Sequence, residues 1–146
     1  MALFSDVLLT VDFDRTMTGP DSVIPERNLT AIRYFIDNGG AFTVNTGRSV
    51  GMIRKYLDII PVNAPLLLYN GSAAYEAKTG EFAFCHTIGL DMAKTLRECM
   101  ELFPDMVLEI QGKTGESDLC YQRARANPTY EEMDFFYLRH MSVEEL

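Results

Sequence analysis

Basic residues are scarce in this chain, and no part of it forms a basic stripe. Its 13 lysines and arginines stand against 21 aspartates and glutamates, giving a formal net charge of −8 at pH 7. Phosphate backbones and anionic membrane surfaces are held by lysine and arginine. The composition therefore predicts neither a nucleic-acid partner nor a membrane-surface partner.

Cysteine is scarce too, and long apolar runs are absent. The cysteines are Cys85, Cys99 and Cys120, an odd number with no C-x-x-C pair, which fits neither a disulfide framework nor a zinc site. No apolar run reaches the roughly 20 residues that span a bilayer, and the N-terminal stretch lacks the basic region of a signal peptide. These features predict a cytoplasmic protein with reduced thiols.

The most informative stretch is VLLTVDFDRTMT, residues 7–18. Its apolar and β-branched residues from Val7 to Val11 predict a strand buried on both faces. Asp12 ends that strand and Asp14 follows two residues later. Two neighbouring carboxylates raise one another's pKa unless a metal or a shared proton neutralises them, which favours a chemical role. The alternative is a solvated acidic loop with an Asx-type turn.

The next residues repeat a strand, loop and helix pattern. Pro25 opens a predicted helix with an apolar stripe, and Asn38-Gly39-Gly40 ends it. Strands are predicted at 41–46 and 66–69, with a second helix between them that is capped by Ser49. This βαβαβ order predicts an α/β protein with a parallel sheet.

Polar residues follow the second and third strands as well as the first. Thr46-Gly47-Arg48 follows the second strand and Asn70-Gly71 the third. Ligands of parallel sheets bind beyond the carboxyl ends of the strands, so all these groups are expected at one edge of the sheet. Thr46 and the start of the next helix could bind phosphate; equally, Thr46 is a strand-forming residue before a glycine turn.

Together the segments Asp12-Phe13-Asp14-Arg15-Thr16, Asn45-Thr46-Gly47-Arg48 and Tyr69-Asn70-Gly71 resemble the haloacid dehalogenase-like hydrolase superfamily, and more narrowly its Cof-type (subfamily IIB) phosphatases. The resemblance covers residues 5–80 well and the remainder more loosely. It implies a Rossmann-like half-core at 1–80 followed by part of an α+β cap at 81–146.

The resemblance also implies a mechanism. Asp12 is expected to be the nucleophile that forms an aspartyl-phosphate, and Asp14 the general acid and base. Mg²⁺ is expected on the Asp12 carboxylate and the Asp14 backbone carbonyl. Thr46 would bind the transferring phosphoryl group, with Gly47, Arg48 and Asn70 beside the substrate.

Two departures from the family pattern stand out. Arg15 occupies the position where the commonest signature has glycine, and Met17 stands where leucine is usual. In addition, a phosphate-binding lysine and a later acidic G-D-x-x-D segment of the family are not recognisable here, and no Gly-Asp pair occurs. We therefore expect the chain to be a truncated phosphatase with little activity of its own. A capping-box pattern at Ser142 and Glu145 favours the same interpretation.

The second half predicts a hairpin around Lys78-Thr79-Gly80, a helix from Asp91 to Phe103 and a strand from Met106 to Gln111. Residues 119–122 are predicted to pair with that strand, and 134–140 to form a short amphipathic helix. His86 and His140 are interpreted as structural. The aromatic residues of 130–137 are interpreted as cap core or as surface left bare by a missing partner.

The leading hypothesis is thus a magnesium-dependent phosphatase of small phosphorylated metabolites, such as sugar phosphates. The alternative is a non-catalytic metal- or phosphate-binding module that associates with another chain, including a second copy, through an exposed sheet edge. A phospho-acceptor domain of the response-regulator type is less favoured, because it needs an aspartate where this chain has Asn70.

Overall fold

A computed structural model describes residues 2–112, 117–121 and 138–142. The chain divides into two compact units, Met1–His86 and Thr87–Leu146. In the described part, no helix is both long enough and apolar enough to span a membrane.

The first unit is built on a five-stranded sheet in the order β1-β2-β3-β4-β5. Its elements in chain order are β1 (Leu8–Asp12), α1 (Glu26–Asp37), β2 (Ala41–Asn45), α2 (Val50–Ile53), β3 (Leu66–Leu68), β4 (Ala73–Glu76) and β5 (Glu81–Cys85). The first three strands are parallel, with Asp12 opposite Asn45 and Asn45 opposite Leu67. The predicted α/β class and the parallel βαβαβ order are confirmed.

The hairpin predicted around Lys78-Thr79-Gly80 extends this sheet. β4 runs antiparallel to β3, and β5 antiparallel to β4. Gly80 closes the turn with a φ of 76°, a conformation that glycine adopts without penalty. β5 belongs to the first sheet, and the first compact unit ends at His86. The division into a half-core at 1–80 and a cap at 81–146 stays a prediction.

The core of the first unit lies around β2 and β3. Phe42, Val44, Leu66 and Leu68 are all fully buried, and Leu29 and Ile32 of α1 join the same cluster. Asp37 ends α1 before Asn38, and Gly39 has a φ of 92°, as predicted for a left-handed helix end.

The prediction that the first strand is buried on both faces is wrong. Leu8 is 60% exposed and Leu9 40% exposed. β1 is the edge strand of the described sheet, with β2 as its one neighbour there. An apolar run is equally compatible with an interior strand and with an edge strand awaiting a partner, so the pattern alone did not separate them.

The second unit contains α3 (Met92–Leu102) and a three-stranded sheet of β6 (Leu108–Gln111), β7 (Ser117–Tyr121) and β8 (Leu138–Ser142). Asp91 caps α3 by accepting a hydrogen bond from the backbone N–H of Lys94. Leu96 and Met100 of this helix are buried, whereas Phe103, the last residue of the predicted helix, lies past the helix end and is 56% exposed. The pairing of β6 with β7 is antiparallel, as predicted.

The amphipathic helix predicted at 134–140 is wrong over its described part. Leu138, Arg139 and His140 belong to β8, which pairs in parallel with β7. Short apolar patterns do not distinguish helix from strand, and here pairing with β7 decides. Residues 134–137, the remaining aromatic residues at 130–137 and Glu145 of the predicted capping box lie outside the described residues.

Candidate active site at the carboxyl ends of the strands

The loop after β1 presents both acids to solvent and anchors itself through the residue between them. Phe13 is fully buried, whereas Asp12 and Asp14 are exposed. Arg15 then adopts a left-handed backbone, φ 61° and ψ 7°. The Thr18 hydroxyl accepts a hydrogen bond from the Arg15 N–H at 3.2 Å and donates to the Phe13 carbonyl at 3.3 Å. This turn places two carboxylates on the same exposed loop.

Thr16 contacts the first of these acids directly. Its hydroxyl donates a hydrogen bond to Oδ2 of Asp12 at 3.0 Å. The bond restrains the carboxylate rotamer. No other hydrogen bond to the Asp12 side chain comes from the residues that the structure describes. The sequence interpretation assigned Thr16 no role of its own, although its position four residues after Asp12 is compatible with this contact.

Arg48 joins the loop after β2 to the second acid. Its Nη2 lies 2.6 Å from Oδ1 of Asp14 and its Nε lies 2.9 Å from Oδ2, a bidentate ion pair. The guanidinium also packs over the rings of Phe13, at 4.9 Å, and Tyr56, at 5.5 Å. Arg48 thus contacts Asp14, Phe13 and Tyr56, and two of these residues belong to the loop after β1.

This ion pair makes the ionised form of Asp14 more stable. The hydrogen bond from Arg48 lowers the pKa of the Asp14 carboxyl below its ordinary value of 3.8, the charges of Arg48 and Arg15 add to that effect, and partial burial opposes it. The Asp14 side chain remains 48% exposed, so solvent screens much of the interaction. Asp14 is therefore a carboxylate in this arrangement.

The loops after β2 and β3 brace one another. The backbone N–H of Asn70 donates to the Thr46 carbonyl at 3.1 Å, and that of Tyr69 donates to the Arg48 carbonyl at 3.2 Å. A methyl group on Gly47 would lie 3.0 Å from Oδ1 of Asn70. Any larger residue at position 47 would therefore require the Asn70 amide to shift.

Thr46 is buried within this brace. It is 4% exposed, and its hydroxyl accepts a hydrogen bond from the Arg48 N–H at 3.2 Å. A hydroxyl that accepts can still donate through its own proton. This hydrogen bond stabilises the turn after β2. It also leaves the hydroxyl proton of Thr46 available for donation to an anion.

Two backbone N–H groups at the start of α2 already donate hydrogen bonds to side chains of the protein. The N–H of Val50 donates to the Tyr69 hydroxyl at 3.3 Å, and that of Met52 donates to the Ser49 hydroxyl at 3.3 Å. Burial raises the pKa of the Tyr69 hydroxyl, which keeps it protonated. The role of Ser49 as N-cap is confirmed, whereas Tyr69 was not expected at this helix start.

The structure therefore gathers the predicted site residues at one end of the parallel strands. Asp14 contacts Arg48, Gly47 adjoins Asn70, and Asp12 shares its loop with Asp14. This proximity follows from the parallel register, in which Asp12 lies opposite Asn45.

The donor set of the β1 loop suits a hard cation. The Asp12 carboxylate and the Asp14 backbone carbonyl are oxygen donors on an exposed loop, and Mg²⁺ binds through one or two carboxylates while keeping several waters. The described residues contain no group of three or more histidine, cysteine, aspartate or glutamate side chains that could enclose a metal ion. These residues could therefore supply two oxygen ligands to a Mg²⁺ ion that keeps several waters.

Comparison with known proteins agrees with this geometry. The family model for haloacid dehalogenase-like hydrolases matches residues 9–143. The chain belongs to the haloacid dehalogenase-like hydrolase family.

Individual relatives are more distant. The chain is 27% identical over 92 residues to the 5-amino-6-(5-phospho-D-ribitylamino)uracil phosphatase YcsE of Bacillus subtilis (strain 168), an alignment that covers 62% of this chain and 37% of that protein. The subclass IIB sugar phosphatase BT4131 superimposes with a TM-score of 0.70 at 17% identity, over 95% of this chain and 54% of that chain. BT1666 from Bacteroides thetaiotaomicron, described as a phosphatase of the same superfamily, superimposes with a TM-score of 0.67 at 21% identity, over 97% and 51%.

These structural similarities show the fold. The chain spans about half the length of the solved structures and a little over a third of the curated relative, by the fractions of 54%, 51% and 37%.

Proposed function

We propose that this chain supplies the nucleophile half of the active site of a magnesium-dependent phosphatase that acts on small phosphorylated metabolites, such as sugar phosphates. The observation that carries the proposal is the pair Asp12 and Asp14 on one exposed loop, with Asp14 bound to Arg48 from the neighbouring strand end. Family membership and the phosphatase named above as a relative support the same chemistry.

In the first step a carboxylate oxygen of Asp12 attacks phosphorus. The Asp12–phosphorus bond forms while the ester bond to the leaving oxygen breaks, and Asp14 donates a proton to that oxygen. The hydrogen bond from Thr16 to Oδ2 of Asp12 orients the carboxylate for the attack. Bound Mg²⁺ would reduce the repulsion between the carboxylate and the phosphate.

In the second step a water molecule attacks the aspartyl-phosphate. Asp14 accepts a proton from the water, the Asp12–phosphorus bond breaks, and inorganic phosphate leaves. The ionised Asp14 of this structure, bound to Arg48, is in the protonation state required for this second step. For the first step Arg48 must release Asp14 so that the carboxyl can carry a proton.

Thr46, Gly47, Arg48 and Asn70 form the proposed substrate side of the site. We expect the Thr46 hydroxyl to donate to the transferring phosphoryl group; the residue is buried, and Gly47 beside it lies close to the Asn70 amide. Because no third acid joins Asp12 and Asp14 in the described residues, we expect weak activity from this chain alone.

The test compares Asp12→Asn with Asp58→Asn, which neutralises another exposed acid. Magnesium-dependent release of phosphate from p-nitrophenyl phosphate is measured for the chain and for any longer polypeptide encoded in frame with it. We expect Asp12→Asn to abolish the release and Asp58→Asn to leave it unchanged. Full activity of Asp12→Asn would remove the nucleophile assignment.

A second candidate is a module that associates with another copy through the β1 edge. Exposure of Val7 at 47%, Leu8 at 60% and Leu9 at 40% favours it, because an open apolar strand edge is a template for pairing. Sedimentation equilibrium tests it: Leu9→Lys should weaken association, and Ile59→Lys, at a residue 47% exposed elsewhere in the unit, should not. A monomer at high concentration contradicts this candidate.

We also place the protein in the cytoplasm, without nucleic-acid or membrane partners. The net charge of −8 supports the absence of polyanionic partners. Cys85 and Cys99 are free thiols, which supports a reducing compartment. Fractionation of cells that express the native protein tests the location.

A further inference from the structure

Arg15 occupies a backbone conformation that does not suit an arginine. Its φ of 61° and ψ of 7° lie in the left-handed region, where an L side chain crowds the backbone and glycine does not. Such outliers persist where the surrounding structure imposes them, and they concentrate at functional sites.

The loop does not need the arginine side chain to hold this conformation. The restraint comes from the backbone N–H of Arg15, which donates to Thr18, and from the buried Phe13 two residues earlier. Any residue with a backbone N–H could make the first contact, and glycine would make it with less strain. A structural explanation of the side chain is therefore lacking.

The Arg15 side chain is exposed on the loop that carries the two acids. It makes no hydrogen bond or ion pair with the residues that the structure describes, in contrast to Arg48, which donates to both carboxylate oxygens of Asp14. Its charge nevertheless reaches the Asp14 carboxyl. The open loop thus carries a guanidinium that can take up an incoming anion.

We propose that Arg15 binds a second anionic group on the leaving portion of the substrate, a phosphate or a carboxylate. This inference rests on the proposed phosphatase function. Asp14 is the group assigned to the leaving oxygen, and Arg15 is the next residue of the same exposed loop. An anionic group on the leaving portion of a substrate bound at Asp14 is therefore the one that the long Arg15 side chain would reach. A guanidinium pairs with either anion through two parallel hydrogen bonds.

Arg15 should favour substrates that carry a second negative charge. A metabolite with one phosphoryl group and a neutral remainder gains nothing from Arg15, whereas a bisphosphate or a phosphorylated sugar acid gains a charge-assisted contact. For an exposed pair we expect about threefold to fivefold tighter binding. The effect should appear in KM, with kcat little changed, because the contact exists in the ground state and in the transition state alike.

The test measures binding by calorimetry, with Mg²⁺ present, in an Asp12→Asn background that does not turn over. Three probes are used: a hexose monophosphate, a hexose bisphosphate and a phosphorylated sugar acid. Arg15→Gln retains the crowded backbone and removes the charge, while Arg27→Gln removes an exposed positive charge from the first turn of α1. Hydrolysis of the same probes is measured with Asp12 intact.

We expect one of the doubly anionic probes, or both, to bind about threefold to fivefold more tightly than the monophosphate. Arg15→Gln should abolish that preference, while Arg27→Gln should retain it. The ranking of the two doubly anionic probes shows whether phosphate or carboxylate is the second group. Equal preference in Arg15→Gln, or no binding of any probe, overturns the inference. Hydrolysis without an Arg15-dependent preference overturns the inference alone. Binding that depends on Arg15, with no hydrolysis by the chain or by any longer polypeptide encoded in frame with it, overturns the proposed function and with it the assignment of the second anion to a leaving group.

Discussion

β1 and β2 lie side by side with similar apolar character, yet their environments differ sharply. Phe42 and Val44 of β2 are completely buried, while Leu8 and Leu9 of β1 are 60% and 40% exposed. The loops that follow differ in the same way: Thr46 after β2 is buried and braced by Asn70, whereas Asp12, Asp14 and Arg15 after β1 are exposed. The proposed reactive groups thus follow the more exposed strand, β1. Arg48, which follows the buried strand β2, contacts them through its ion pair with Asp14.

This difference separates two tasks. The β2 and β3 side provides packing and a rigid frame, and the β1 loop provides chemistry that must remain accessible. Exposed loops on a rigid scaffold are a common place for function. Four predictions test the contrast, from the largest expected effect to the smallest.

The largest contrast is expected between Phe42→Ala and Leu8→Ala. Truncating the fully buried Phe42 should lower the free energy of unfolding by about 3–5 kcal/mol. Leu8, 60% exposed, should cost below about 1 kcal/mol. Urea unfolding followed by circular dichroism measures both, and similar losses would show that the β1 edge is covered in solution.

The brace between the loops is tested by Gly47→Ala. Its new methyl would lie 3.0 Å from Oδ1 and 3.2 Å from Nδ2 of Asn70, so the amide must shift, at a cost of about 1–2 kcal/mol. Gly89→Ala is the matched control, since no atom lies within 4 Å of the methyl there. Thermal unfolding measures both variants. A tolerated Gly47→Ala means that the two loops are not closely packed.

In the β1 loop, the substitution Arg15→Gly should raise the free energy of unfolding. The left-handed backbone of Arg15, with φ 61°, costs an arginine about 1–2 kcal/mol, and the added freedom of glycine in the unfolded chain returns about 0.5–1 kcal/mol of that. The net expectation is a gain of about 0.5–1 kcal/mol in the free energy of unfolding. Arg27→Gly, inside α1, should instead destabilise. A variant Arg15→Gly that is less stable than the wild type would show that the backbone of Arg15 is not strained.

The link between the two sides has the smallest effect on stability. Because Arg48 lowers the pKa of Asp14 below its ordinary value of 3.8, the ionised form contributes stability that is present above that value and is lost as pH falls through the folded-state pKa. Since the Asp14 side chain is 48% exposed, we expect less than about 1 kcal/mol. In chelator-treated protein, the stability difference between wild type and Asp14→Asn should be largest near neutral pH and should shrink below pH 3.8. A constant difference contradicts the ion pair.

Much of the fold was predictable because local signals agreed with one another. Pro25 and Gly39 marked the ends of α1, Ser49 capped α2, and Gly80 closed the hairpin. Alternating strands and helices then required parallel pairing, which brought the strand ends together. The segment 138–140 was not predictable in this way, because its structure depends on pairing with β7.

In the candidate site, too, the residues were predictable from the sequence and their contacts were not. Asp12, Asp14, Thr46, Arg48 and Asn70 were found from their residue types and from their positions after strands. Their specific contacts were not predictable: that Arg48 binds Asp14, that Thr16 donates to Asp12, and that Tyr69 accepts from Val50. Each of these bonds depends on side-chain directions set by loops distant in sequence.

The sequence by itself determined the class of fold, the end of the sheet at which the polar groups meet and the family to which the chain belongs, because periodicity, turn residues and short motifs are local properties. Only the tertiary structure decided that β1 lies at an edge, that Asp14 is held as a carboxylate, and that Arg15 keeps a left-handed backbone. Burial, ion pairing and the backbone conformation of a loop depend on neighbours brought together by folding, and those neighbours lie as far apart in the chain as Asp14 and Arg48.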